Sequence, residues 1–191
     1  MYTLEDDRLP PIPASAWTPA QQAMAQPIID GPRGALISPF VPLLRSPELM
    51  DHAQRMGEYL RYRSSIGLRL SELAICITAR HWSQQVEWAI HAPIAEREGI
   101  APEALKDIAY ARRPLALKQD ELVLYDFCTE LNQNKCVSDA TWDAAKKLWG
   151  EQGVIDLIGV NGYYSFLSMV MNSARTTVPP SLADPLPCLG K

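Results

Sequence analysis

The stretch Leu70 to Gly99, LSELAICITARHWSQQVEWAIHAPIAEREG, decides the reading of the whole chain. It sets Glu72, His81, Glu87 and His91 within apolar helical sequence, and two of the chain's three histidines are among them. An ordinary amphipathic helix places such groups on one wet face and leaves an apolar stripe at the i, i+3, i+4, i+7 positions. From Ser71 to Arg80 the residues Leu73, Ala74, Ile75, Ile77 and Ala79 leave little room for a polar face, so Glu72 is expected beside buried surface, where it needs a partner. Ser71 is the expected cap of the first helix and places Glu72 in its first turn. Ser83 is the expected break and new cap. On a helix beginning there, Gln84, Glu87 and His91 fall at i, i+3 and i+7 and share one face. Pro93 is expected to bend or interrupt that helix, and Gly99 to close the segment.

Working outward, the 3.6-residue pattern continues through the C-terminal half, and no segment alternates as a strand would. Ser46-Pro47-Glu48 starts a helix reaching about residue 64, with Leu49, Ala53, Met56 and Leu60 inward and Asp51, Arg55, Glu58 and Arg61 outward. Further helices are expected from Ala101 to Ala111, Asp120 to Asn132, Ser138 to Gly150 and Val154 to Arg175. The fold class is all-α, with six or seven helices. Nine of the 16 prolines precede residue 48, so residues 1–47 read as an extended arm without long helices, except over Pro19 to Ala25. The arm also carries Trp17, Ile28, Phe40 and Leu44, too much apolar surface for a disordered tail, and must lie against something. Gly31-Pro32-Arg33-Gly34 reads as a turn. Residues 179–191 read as a loosely held, flexible tail.

Composition narrows the partners. With 18 basic and 22 acidic residues the net charge is −4 and no basic stripe appears, which disfavours nucleic acid and anionic membranes. A small-molecule substrate or another protein chain is left. The N-terminus has no apolar run, and a cytoplasmic location is the expectation. Cys76, Cys128, Cys136 and Cys188 form no C-x-x-C pair, so neither a metal centre nor a redox disulfide is expected.

The spacing between Glu72 and His91 resembles the carboxymuconolactone decarboxylase and alkyl hydroperoxidase D superfamily. Its peroxidase branch carries Glu, eleven residues, then Cys-x-x-Cys-x-x-x-His; here Gln84 and Glu87 stand at the cysteine positions and His91 at the histidine. SPELMDHAQRMGEYLRYRSS, SELAI and GPRGALISPF are similar to the thiol-free, decarboxylase-annotated branch. The resemblance implies an alkyl hydroperoxidase D-like helical bundle over residues 48–178 and self-association as a trimer or hexamer. It is accompanied by a faint internal echo, in which Asp156-Leu157 precedes Arg175 by the same nineteen residues that separate Glu72-Leu73 from His91.

A histidine and two carboxylates in apolar surroundings form a mixed acid–base set that supports proton transfer. His91, Glu87 and Glu72 are thus the expected catalytic residues, and Arg80, His81, Gln84, Trp88 and Arg33 the expected substrate-binding ones. The expected function is cofactor-free proton transfer on a small carboxylated lactone or keto acid, resembling the decarboxylases, with no metal. An isomerase, hydratase or lactonase and a non-catalytic helical binding protein are the alternatives. A thiol peroxidase is disfavoured by the missing C-x-x-C. Activity should accordingly survive replacement of all four cysteines by serine or alanine within roughly tenfold, and thiol-dependent peroxide reduction that vanishes in the cysteine-free variant would overturn that expectation.

Overall fold

Residues with positive φ stand on either side of the most enclosed long helix. α4 (Leu68–His81) follows Gly67, whose φ of 78° lets the chain reverse out of α3 (Pro47–Tyr62). α5 (Gln85–Arg97) begins after Ser83, itself at φ 50°. The computed structural model describes residues 6–31, 33–179, 182 and 186–189. Among them the chain is all-helical, with eight α-helices, a short 3-10 turn at Ala14–Ala16 and no strand. The remaining helices are α1 (Pro19–Asp30), α2 (Phe40–Leu43), α6 (Pro102–Ala109), α7 (Gln119–Asn134) and α8 (Asp139–Ala174).

α4 is the hub. Every residue from Leu70 to Arg80 is buried, because α5 packs antiparallel to α4 while α8, α7, α6 and α3 close its other sides. A helix so enclosed needs its polar groups matched, and Arg69 at its start pairs with Asp120 and Glu121 in the first turn of α7. Glu121 also accepts from the Lys118 backbone N–H at 2.8 Å, which closes the α7 N-terminus. Cys128, wholly buried on α7, has its thiol pushed up to about 12 by desolvation. It packs as a small apolar residue.

Several local expectations are corrected. The segment before residue 47 is not an extended arm: α1 spans twelve residues and includes Pro27. Thr18 and Gln21 form a capping box, and burial of Ala25 and Ile28 compensates for the hydrogen bond that Pro27 cannot make. The apolar surface of this segment is used within its own chain, with Phe40, Leu43 and Leu44 in the core and α1 on α3. The expected turn at Gly31 to Gly34 is present, with Gly34 N–H donating to the Gly31 carbonyl; Pro32 lies outside the described residues. α4 starts at Leu68, so Ser71 is inside it and Glu72 is beyond the first turn. α5 runs through Pro93 to Arg97 without a break. The helices expected at 138–150 and 154–175 are, by contrast, the two parts of α8, divided at Gly150, whose φ of 67° and ψ of −177° are non-helical. Residues 186–189 of the tail are held rather than loose. Gln85 bonds both the N–H and the C=O of Leu186, and Arg80 donates to the Pro187 carbonyl.

The inner face of α3 also differs from expectation. Leu49 and Met56 are each 45% exposed, whereas Met50, Ala53, Gln54, Gly57 and Leu60 are buried. α8 is the one described helix long and apolar enough to cross a membrane by length and composition, and 56% of its most apolar window is buried against the other helices.

Gly57 admits the ring of Tyr163 from α8. A Cβ placed there would lie 2.3 Å from the Tyr163 hydroxyl and 2.6 Å from its Cζ. Gly57→Ala gains up to about 1 kcal/mol of helix propensity, against about 1–3 kcal/mol of overpacking. Urea unfolding should therefore show a net loss, and a variant at least as stable as wild type would mean that this contact is not tight.

Candidate active site

Glu72 has no solvent exposure, and its carboxylate is shared between two helices. Oε2 lies 2.5 Å from His91 Nδ1 on α5, and Oε1 accepts from Arg61 Nε, at the end of α3, at 3.2 Å. The other imidazole nitrogen, Nε2, lies 3.2 Å from Glu87 Oε2, one turn earlier on α5. The order Arg61, Glu72, His91, Glu87 is thus a line of alternating charge through the α3–α4–α5 junction. Tyr164 from α8 stands edge-on to the imidazole, with ring centroids 5.2 Å apart and planes at 85°.

The line ends at a small chamber of about 50 Å³, lined by Glu87, His91, Arg61, Arg33, Tyr163 and Phe40 among others. Glu87 Oε1 is buried and has no hydrogen-bond partner, which leaves one acceptor without a protein donor. Arg33 stacks over Phe40 at 4.9 Å and supplies the chamber's outer cation. The space is enough for a few waters. Admission of anything larger requires the lining residues to shift.

The electrostatics follow from burial and partners. Desolvation opposes charge on His91, but hydrogen bonds and attraction from Glu72 and Glu87 outweigh it and raise its pKa above the ordinary 6.5. Arg61 behaves in the same way: burial works against its charge and Glu72 more than restores it. Burial, reinforced by nearby carboxylates, pushes the Tyr163 and Tyr164 phenols up, so both remain protonated. Cys76, one turn after Glu72, is fully buried, and its thiol is pushed well up by desolvation, then by Glu72 and Glu87. Both effects disfavour the thiolate form that a nucleophile needs. Glu72 and Glu87 sit on opposite ring nitrogens rather than around one point, and among the described residues no group of three His, Cys, Asp or Glu side chains is placed to hold a metal ion.

Of the expected site residues, the structure brings together Glu72, Glu87, His91 and Arg33. Four others lie elsewhere. Gln84 caps α5: its Oε1 accepts from the Val86 and Glu87 N–H groups at 2.5 and 3.1 Å, and its Nε2 donates to Asn172 Oδ1. Ser83, expected as that cap, instead accepts from Arg80 Nη2 at 2.6 Å. Arg80 and His81 are at the far end of α4, and Trp88 is packed in the core. The echo at Asp156 serves structure, accepting from Tyr59 Oη and from the Ser65 N–H and hydroxyl; Arg175 is the left-handed residue that ends α8. Sequence reasoning missed Arg61, Tyr163 and Tyr164. The stripe Met50, Ala53, Gly57, Leu60 runs directly beside Arg61, so a shift of one residue in the assigned face of α3 hid it.

No family model matches this chain, and no curated protein sequence matches it.

Because the fold raises the pKa of His91, its imidazolium adds stability that is fully present below the unfolded value of 6.5 and lost as pH rises through the folded value. Stability of the wild type to urea should fall as pH rises through that range. Glu72→Gln should flatten the dependence and, by leaving Arg61 without its carboxylate and His91 with Glu87 alone, cost about 3 kcal/mol. An unchanged pH profile in Glu72→Gln would show that Glu72 does not set the charge of His91.

Proposed function

We propose that the chain is a cofactor-free proton-transfer enzyme acting on a small carboxylated lactone or keto acid, in the manner of the thiol-free decarboxylases that its Glu72-to-His91 spacing resembles. The observation that carries this reading is the unpartnered Glu87 Oε1, buried in a chamber and backed through Oε2 by the His91–Glu72–Arg61 line. A carboxylate so placed has one oxygen for a ligand's proton and the other on an imidazole that can share it. The same resemblance leads us to place the helices in an alkyl hydroperoxidase D-like bundle.

In this reading Arg33 holds the substrate carboxylate or an adjacent oxygen. Loss of carbon dioxide leaves the bonding electron pair on the conjugated carbonyl as a dienolate. A proton held between His91 Nε2 and Glu87 is delivered to carbon from the Glu87 side and replaced from solvent. Glu72 does not touch the chamber; it positions His91 and keeps it charged. Such a division differs from one in which His91 meets the substrate directly, because both imidazole nitrogens already face carboxylates. Isomerisation or lactone opening would use the same proton path with a different substrate.

We also propose that the chain self-associates, as a trimer or hexamer. The N-terminal segment covers its own chain and gives no support. Ile155 and Met169 on α8, 61% and 46% exposed, do. Light scattering that returns a monomer of 21.3 kDa would remove this part of the reading.

Glu87→Gln and His91→Asn should each lower turnover by about 10²- to 10⁴-fold, read as loss of carbon dioxide or of solvent deuterium uptake across a panel of carboxylated lactones and keto acids. With His91 as the proton reservoir, the rate should persist through pH 6.5 and fall as His91 deprotonates at higher pH. Arg33→Met should raise KM more than it lowers kcat. Panel substrates that bind but neither exchange nor react, with affinity unaffected by Glu87→Gln, would favour a binding protein instead.

A further inference from the structure

The opposite end of α4 holds a second arrangement that shares no lining residue with the Glu87 chamber. Arg80 is only 9% exposed, yet among the described residues no carboxylate lies within ion-pair distance of it, in contrast with Arg61 and Arg69. Its Nη1 donates to the Ala109 and Pro187 carbonyls at 3.1 and 2.8 Å, and its Nη2 to Ser83 Oγ. These bonds engage three of a guanidinium's five donor hydrogens, all on neutral acceptors. A buried cation without a counter-ion is costly, and desolvation accordingly lowers the Arg80 pKa, with only the Cys188 thiol working against it.

The same residue lines a cavity of about 270 Å³ together with Asn132, His81, Tyr125 and Ile108. Asn132 is 8% exposed, and its Nδ2 is buried with no hydrogen-bond partner. No Asp or Glu is among the lining residues. His81 is exposed at the rim, and partial desolvation and then the charge of Lys135 hold its imidazole toward the neutral form. Two unengaged guanidinium donors, an unsatisfied amide donor and an apolar wall of Ile77 and Ile108 describe the complement of a two-oxygen anion with a compact apolar body.

We propose that this cavity is a second ligand site, which takes a small monocarboxylate on Arg80 and Asn132. The proposal does not rest on the proton-transfer reading. Recognition is by charge and by the pair of acceptor oxygens: the carboxylate neutralises Arg80, one oxygen takes the Asn132 Nδ2 hydrogen, and the apolar body lies against Ile77, Ile108 and Tyr125.

Benzoate is the probe, titrated into the full chain by calorimetry and by proton–nitrogen correlation spectra that resolve the Arg80 Nε–H and Asn132 side-chain amide signals. Saturable binding that shifts both signals is expected, with benzamide and inorganic phosphate binding at least about tenfold more weakly, as a charge-assisted pair requires. Asn132→Asp turns the unpartnered donor into an anion beside Arg80, and it should weaken benzoate by about tenfold or more. It removes no hydrogen bond that Asn132 Nδ2 makes in the fold, so it tests the site where Arg80→Gln, which also releases the Ala109 and Pro187 carbonyls, would disturb structure. Equal affinity for benzamide, tighter binding of phosphate, unchanged affinity in Asn132→Asp, no saturation at millimolar benzoate, or shifts confined to the surroundings of Glu87 would each overturn the proposal.

Discussion

A carboxylate sealed from water must be answered by cations within bonding reach, and Glu72 imposes that condition on three helices at once. Arg61 answers from the end of α3 and His91 from the second turn of α5. The Gly67 turn and the Trp82-Ser83-Gln84 connection have to bring those helix ends to Glu72, because an error of one helical turn would leave a buried charge alone. The junction therefore fixes the register of α3, α4 and α5 more stringently than apolar packing does, since apolar contacts tolerate small slips and an ion pair at this depth does not.

The pattern of residues made the all-α class and the Glu72–Glu87–His91 grouping legible, for physical reasons. Helical periodicity is local, and the i to i+4 relation of Glu87 and His91 is a property of any helix, whatever surrounds it. The need of Glu72 for a partner followed from the apolar residues on both sides of it. Arg61 was not legible because its contact depends on how five residues between α3 and α4 turn, which no periodicity encodes. Tyr163 and Tyr164 come from a helix more than seventy residues away in sequence, and only tertiary packing places them.

Several of the failed expectations have a common cause in helix ends. Ser46, Ser71 and Ser83 are all good capping residues by composition. None caps a helix with its side chain: Ser46 makes no cap bond, Ser71 lies inside α4, and Ser83 is engaged by Arg80. Gln84, an unusual cap, takes the role at α5 because Asn172 of α8 holds its amide. Proline was likewise over-read as a breaker. Pro27 and Pro93 both sit within helices whose neighbours are buried enough to offset one missing hydrogen bond each.

The alternation of charge along Arg61, Glu72, His91 and Glu87 has a consequence for traffic through the chamber. Those four formal charges cancel, so among the described lining residues Arg33 is left as the single uncompensated cation facing the cavity. A singly charged anion entering makes the enclosure electroneutral, whereas a neutral molecule or a dianion leaves an imbalance of either sign. If the chamber takes a ligand as proposed, a monovalent anion is therefore the favoured guest. In the proposed reaction a guest that loses carbon dioxide and takes up a proton becomes neutral, which restores the unbalanced state and ends its attraction to Arg33.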